Sequence, residues 1–227
     1  MTLDDNGLTR RGFFQGVMGA AVAAAFAPGP AQADTARARV VRVESPGVWK
    51  GDARRPEVVA AMIGAGLMSF TGESKADAAW RRFVKPGMRV GVKLNLLGRP
   101  LVITAREVTD AVVSGALAAG VRPEDLTVWD RKPEHFGPDT YQPGTGRHGE
   151  RIKTGSVYHD TIAADTSGGK APIDRIPIEE TDVTINLPVI KDHGMAGVTG
   201  VLKNIAFGCY RNTRTAHSGN CDPYIAE

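Results

Sequence analysis

Cysteine is scarce in this chain of 227 residues: two thiols, Cys209 and Cys221, are too few for a disulfide framework. Aromatic residues are held to 6%. Charge of one sign is also lacking, with 28 basic against 25 acidic side chains and a net charge of +3. The basic excess is spread thinly and forms no Lys/Arg run, which excludes a nucleic-acid footprint. Gly 27 and Pro 14 stay below the level of a low-complexity chain. What is abundant is apolar surface, 42% of residues, too much for a disordered segment. No internal repeat is visible, and the size fits one domain.

The longest uncharged apolar stretch lies near the start, Gly16 to Ala27, and is too short for the ~20 residues of a bilayer span. It follows Thr9-Arg10-Arg11-Gly12-Phe13-Phe14 and ends, past Pro28-Gly29-Pro30, on the A-x-A pattern Ala31-Gln32-Ala33. Basic, then apolar, then small residues is the order of a secretory signal. The paired arginines and weak hydrophobicity resemble a twin-arginine (Tat) signal peptide over residues 1–33, with a mature chain from Asp34. The expected partner during export is the Tat translocase, the destination periplasmic or extracellular, with no permanent membrane anchor. Tat cargo is exported folded, often already holding a cofactor.

Beyond the signal, strand and helix patterns alternate. Period-two spacing predicts a strand over Arg39–Val43. Pro56 opens an apolar-periodic helix to about Met68, and a second short helix covers Lys75 to Phe83. Met88–Leu94 reads as a strand, Thr104-Ala-Arg-Glu107 as a capping box for a helix to Ala119, and Gly120 as its left-handed cap. Leu126–Trp129 is a further strand. Residues 131–175 read as an irregular insertion, with short strand-like pieces near Ile152 and Ile173. Asp182–Leu187 is a buried-type strand, and a helix from about Val198 to Phe207 follows a glycine-spaced turn. This order predicts an α/β domain over residues 34–227, a mostly parallel sheet flanked by helices. Asp222-Pro223 opens a helix four residues before the sequence stops, so the C-terminal part of the domain is expected to lie beyond this chain.

Ligands of open α/β sheets bind at the carboxyl ends of strands. The unusual polar residues fall at those ends: Lys93 and Asn95, then Asp130, then Lys191 and His193. Gly194, Gly197 and Gly200 space a turn before a helix carrying Thr199, Lys203 and Asn204, a pattern suited to a phosphate or carboxylate but neither a Walker loop nor G-x-G-x-x-G. The tail adds Cys209, Arg211, His217 and Cys221. Its C-x7-H-x3-C pattern is not a standard zinc spacing. The thiols could ligate a metal or cluster with His193 or His217, pair as a disulfide after export, or stay free. His135, His148 and His159 read as surface loop residues rather than ligands.

Several of these segments resemble the DUF362 family of uncharacterised proteins: Lys93-Leu-Asn95, the helix from Thr104 to Gly120, Asn186-Leu-Pro-Val-Ile-Lys191-Asp-His193 and Thr199-Gly-Val-Leu-Lys203-Asn204, continued by Arg211 and His217. The likeness spans roughly residues 88–227, with Lys-Leu-Asn where many relatives read Lys-Pro-Asn. Some relatives carry ferredoxin-like cysteine clusters and are described as iron–sulfur proteins. No C-x-x-C-x-x-C run exists here, so that function is not carried over by motif; the export route for folded, cofactor-loaded proteins and the polar strand tips lead to the expectation of a divalent metal or iron–sulfur cluster. One expectation is a metal- or iron–sulfur-dependent enzyme acting on a small anionic molecule. Catalysis would then fall to His193, Lys191 and Asp130, ligand binding to Lys93, Asn95, Thr199, Lys203, Asn204 and Arg211, and metal ligation to His193, Cys209, His217 and Cys221. The other expectation is a non-catalytic periplasmic anion-binding protein.

Overall fold

The computed structural model describes residues 39–138, 140–166 and 169–221. The predicted signal segment 1–33 and the helix start at Asp222-Pro223 lie outside them. Five strands form the central sheet in the order β5-β6-β4-β3-β9. In chain order they are β3 (Val90–Lys93), β4 (Leu126–Asp130), β5 (Gly144–Thr145), β6 (Arg151–Thr154) and β9 (Val183–Asn186). β6, β4, β3 and β9 run parallel, and only the edge strand β5 is antiparallel. Two short strands, β1 (Trp49–Lys50) and β2 (Ala53–Arg54), make a separate ribbon before α1 (Pro56–Thr71). The architecture is α/β, with helices on the sheet.

Period two along the strands divides the side chains between two layers. Val90 and Val92 of β3 and Leu126 and Val128 of β4 are buried against Val112, Val113 and Ala116 of α3 (Arg106–Ala118) and Trp80 of α2 (Ala76–Arg81). Each such side chain contributes roughly 1.5–3 kcal/mol of burial, so this layer is the main source of stability. On the opposite face Trp129 packs with Ile176 and with Cys209 of α4 (Val201–Cys209).

Several expectations shift in detail. Arg39–Val43 forms no strand; the chain there is irregular and half-exposed. Among the described residues no strand pairs with it, and alternation alone cannot supply one. Thr104 does not cap α3, whose N-cap is Ala105 with no side-chain capping bond. Thr104 Oγ1 accepts instead from the Asn95 amide at 2.8 Å and donates to the Leu187 carbonyl at 2.8 Å. The hydroxyl thus closes the β3–α3 loop and ties it to the end of β9. Gly120 does follow α3 with φ of +100°, a conformation that a Cβ would strain.

Segment 131–175, expected as irregular, is more ordered than its composition suggests. It supplies β5 and β6 to the central sheet and then a long hairpin, β7 (Tyr158–Thr166) and β8 (Gly169–Asp174). Ala171 of this hairpin is buried with Phe207, Tyr210, Ala216 and Cys221, so tertiary packing supplies the apolar partner that the local sequence lacks. The glycine-rich stretch is a β-ribbon rather than a plain helix entry. β10 (Lys191–His193) pairs antiparallel with β11 (Gly197–Thr199), and α4 begins only at Val201. Of its three glycines, only Gly197 adopts a positive φ, at +71°. Among the described residues no helix is long and apolar enough to cross a membrane.

Candidate functional site

β3, β4 and β9 are in register at their carboxyl ends, where Lys93 lies opposite both Trp129 and Asn186. Three strand tips therefore open at one edge, and the β10–β11 ribbon and α4 close over them. They enclose a cavity of about 110 Å³ whose wall includes Lys93, Asn95, Asp130, Lys191, His193, Thr199, Lys203, Asn204 and His217. That space suits a molecule of a few non-hydrogen atoms, well under the ~300–1,000 Å³ of drug-sized sites.

The floor is an ion pair. Lys93 Nζ donates to Asp130 Oδ1 at 2.6 Å and to the Leu94 carbonyl at 2.6 Å, with both side chains almost fully buried. Asp130 also accepts from the Leu96 and Arg131 amides at 2.8 and 2.7 Å. Burial opposes ionisation of this carboxyl, but the Lys93 ammonium first, with the nearby His135 ring and the Arg131 amide, outweighs it and holds its pKa well below the usual carboxylate range. Asp130 is therefore an anchoring anion at neutral pH, not a proton donor.

The upper wall carries the free cations. Lys191 Nζ donates to Asn95 Oδ1 at 3.0 Å. Lys203 is 7% exposed, and its Nζ lies 3.4 Å from His217 Nε2, 3.9 Å from Cys221 Sγ and 5.1 Å from the centre of the Phe207 ring. Among the described residues neither ammonium has a carboxylate within ion-pair distance. Burial pushes the pKa of both amines down. Asn204 Nδ2 donates to Asn186 Oδ1 at 2.7 Å, and Asn186 Nδ2 to the Val201 carbonyl at 2.7 Å, which fixes the start of α4 over the β9 tip.

The two imidazoles stack, with ring centres 5.4 Å apart and planes inclined by 17°. Their tautomers follow from their partners. His193 Nδ1 accepts from the Met195 and Ala196 amides at 3.2 Å each, so the neutral ring carries its proton on Nε2. His217 Nδ1 faces the Thr213 carbonyl, which can only accept, so its Nε2 presents a lone pair to Lys203. Burial first, then the charge on Lys203, lowers the pKa of His193, which favours its neutral form.

Most of the residues expected from the sequence thus meet at one cavity. Arg211 does not: its guanidinium lies 5.9 Å over the Tyr158 ring, outside the cavity wall. Cys209 is separate as well. It is buried beside Trp129 and Ile176, and burial pushes its thiol up to about 12. Both cysteines are free. Cys221 faces an ammonium rather than other donors, and among the described residues no group of three or more His, Cys, Asp or Glu could hold a metal ion. Two separated thiols do not fit a four-cysteine iron–sulfur cluster.

Two further wall residues stand past the tip of β4: His135, which the sequence reading set aside, and Arg131, which it placed at that strand end beside Asp130. His135, read as a surface loop residue, is largely buried, with Nδ1 3.7 Å from Asp130 Oδ2, beyond hydrogen-bond reach. Arg131 donates to the Tyr210 carbonyl at 2.9 Å, linking β4 to the end of α4. The available signal for His135 was its place just past the tip of β4.

The model of a domain of unknown function, DUF362, matches residues 156–224. The matched segment contains β9, the β10–β11 ribbon, α4, Arg211 and His217, and it supports the DUF362 family for that part of the chain. Lys93–Asn95 and α3 precede it. No curated protein and no solved structure matches the chain.

Proposed function

We propose that this cavity captures a small anionic molecule, and that the DUF362 relation extends over the whole α/β domain. One observation carries the reading. The Lys191 and Lys203 ammoniums line a partly enclosed space without a carboxylate partner among the described residues, while Asp130, in the same wall, is matched by Lys93. Two desolvated cations beside Thr199 and Asn95 favour an anion that restores their charge balance. Inorganic phosphate is the direct probe. At a hundred times its dissociation constant it stabilises the fold by about 2.7 kcal/mol, seen as a rise in Tm. Lys203→Ala abolishes that rise, and a Tm indifferent to phosphate, sulfate and small carboxylates overturns the reading.

A catalytic role beyond capture is favoured by the opposite tautomers of the two imidazoles. His193 offers an Nε2–H donor and His217 an Nε2 acceptor within one stacked pair, which is the equipment of general acid–base catalysis. Turnover of an anionic substrate that is lost in His193→Ala separates an enzyme from a passive binding protein.

Export is proposed on the sequence pattern of residues 1–33. The paired Arg10-Arg11 would direct the folded domain through the Tat translocase to the periplasm or exterior. Replacing both arginines by lysine then leaves uncleaved precursor in the cytoplasm, and unchanged export would dismiss this route.

A further inference from the structure

We propose that Lys203 is a covalent attachment point, and that the anion received by the cavity carries an aldehyde or ketone group which the Lys203 amine holds as an imine. The proposal rests on the anion-binding reading and narrows its substrate class to small carbonyl-bearing anions, of which 2-oxo acids are the simplest.

The geometry separates the three lysines of the wall. Lys93 is committed, its ammonium held by Asp130 Oδ1 and the Leu94 carbonyl. Lys191 is half-buried and bonded to Asn95, placed to meet the charge of an incoming anion. Lys203 alone is a nearly buried amine facing a basic ring nitrogen, with a thiol and an aromatic face as its other neighbours. A lysine becomes a nucleophile when it is desolvated or set next to other cationic groups, because both disfavour the ammonium form. Lys203 meets both conditions, since it is buried and shares the wall with Lys191.

The neighbours supply the remaining chemistry. Neutral Nζ adds to the carbonyl carbon, forming the C–N bond as the carbonyl π pair moves to oxygen. The nitrogen sheds a proton and the oxygen gains one, which gives the carbinolamine. Protonation of the hydroxyl lets it leave as water while the nitrogen lone pair forms C=N. In total the amine, the carbonyl compound and one proton give a protonated imine and water, with nothing oxidised or reduced. His217 Nε2, 3.4 Å from Nζ, is the base placed to take the proton from nitrogen, and its Nδ1–H bond to Thr213 keeps that lone pair in position. His193, stacked on it, offers an N–H toward the departing oxygen.

Reductive trapping tests this on the full chain. The protein is incubated with pyruvate and sodium cyanoborohydride near neutral pH, and the labelled lysines are mapped by peptide mass spectrometry. Labelling of Lys203 should exceed that of any exposed lysine by on the order of tenfold, and excess phosphate should suppress it. Lys203→Arg, which keeps the charge but cannot form an imine, should lose the label. Labelling spread evenly over surface lysines, or pyruvate raising Tm without modifying Lys203, overturns the imine and leaves anion capture standing. If neither pyruvate nor phosphate raises Tm and no label reaches Lys203, both readings fall. The wild-type map decides the question even should the arginine variant fail to fold.

Discussion

Lys93 Nζ and Asp130 Oδ1 lie 2.6 Å apart at the tips of neighbouring parallel strands, both cut off from water. The pair fixes the floor of the cavity, and removing one member strands the other. Asp130→Ala should destabilise the fold by about 3–5 kcal/mol, because an uncompensated ammonium remains buried. Replacing both residues together by apolar ones of similar size should recover most of that loss. Urea unfolding of the two singles and the double measures it, and singles without cost would remove the pair from its anchoring role.

Two buried aspartates give opposite acid responses. Asp130 is ionised more readily in the fold than in the unfolded chain, so its stabilisation is complete above the ordinary carboxylate pKa and fades only in strong acid. Asp174 is the reverse. Burial pushes its carboxyl up to about 6, and its Oδ2 has no hydrogen-bond partner among the described residues. The unfolded chain ionises first as pH rises through the ordinary carboxylate range, so Asp174 withdraws stability between there and about pH 6 and holds level above. Asp174→Asn should flatten this slope and raise Tm at pH 7. A Tm falling across that variant's pH 4–6 range as steeply as in the wild type would assign the slope elsewhere.

Gly115 of α3 has no room for a methyl group. A Cβ there would stand 2.2 Å from ring atoms of Trp80, itself buried in the core. Gly115→Ala gains up to about 1 kcal/mol in helix propensity but forces α2 and α3 apart. The net effect expected is a loss of about 1–3 kcal/mol, read as a lower urea midpoint.

Thr104 distinguishes the loop clamp from a helix cap. Thr104→Val keeps the shape but leaves the Asn95 amide and the Leu187 carbonyl unpaired, at about 1–3 kcal/mol for each buried group. Glu107→Ala should stay within about 0.5 kcal/mol, since the Thr104 amide bonds to the Asn95 carbonyl and not to Glu107. Comparable losses from both substitutions would restore the capping box.

The strands over 90–93, 126–130 and 183–186 were legible because each is a short β-branched run bounded by turn residues. The helix from Pro56 was legible because proline suits a first helical position and apolar periodicity follows it, although it runs on to Thr71 rather than ending near Met68. The hairpin of β7 and β8 was not, since its polar, Gly-containing strands acquire an apolar partner only when Ala171 reaches Phe207 and Tyr210. His135 was missed for a related reason: nothing in Pro133-Glu-His says that the following turn folds back over Asp130.

Local sequence by itself determined the alternation of strands and helices and the placing of lysine, asparagine and histidine at strand ends. Backbone preference and burial pattern act over a few residues, and those signals survive in one dimension. Only the tertiary structure decided that Lys93 is neutralised by Asp130 while Lys203 faces His217, because a charge is spent or free according to which neighbour lies within a few ångströms. Arg211 and Cys209 were set apart from the cavity in the same way, the one drawn to the Tyr158 ring and the other packed against Trp129 and Ile176.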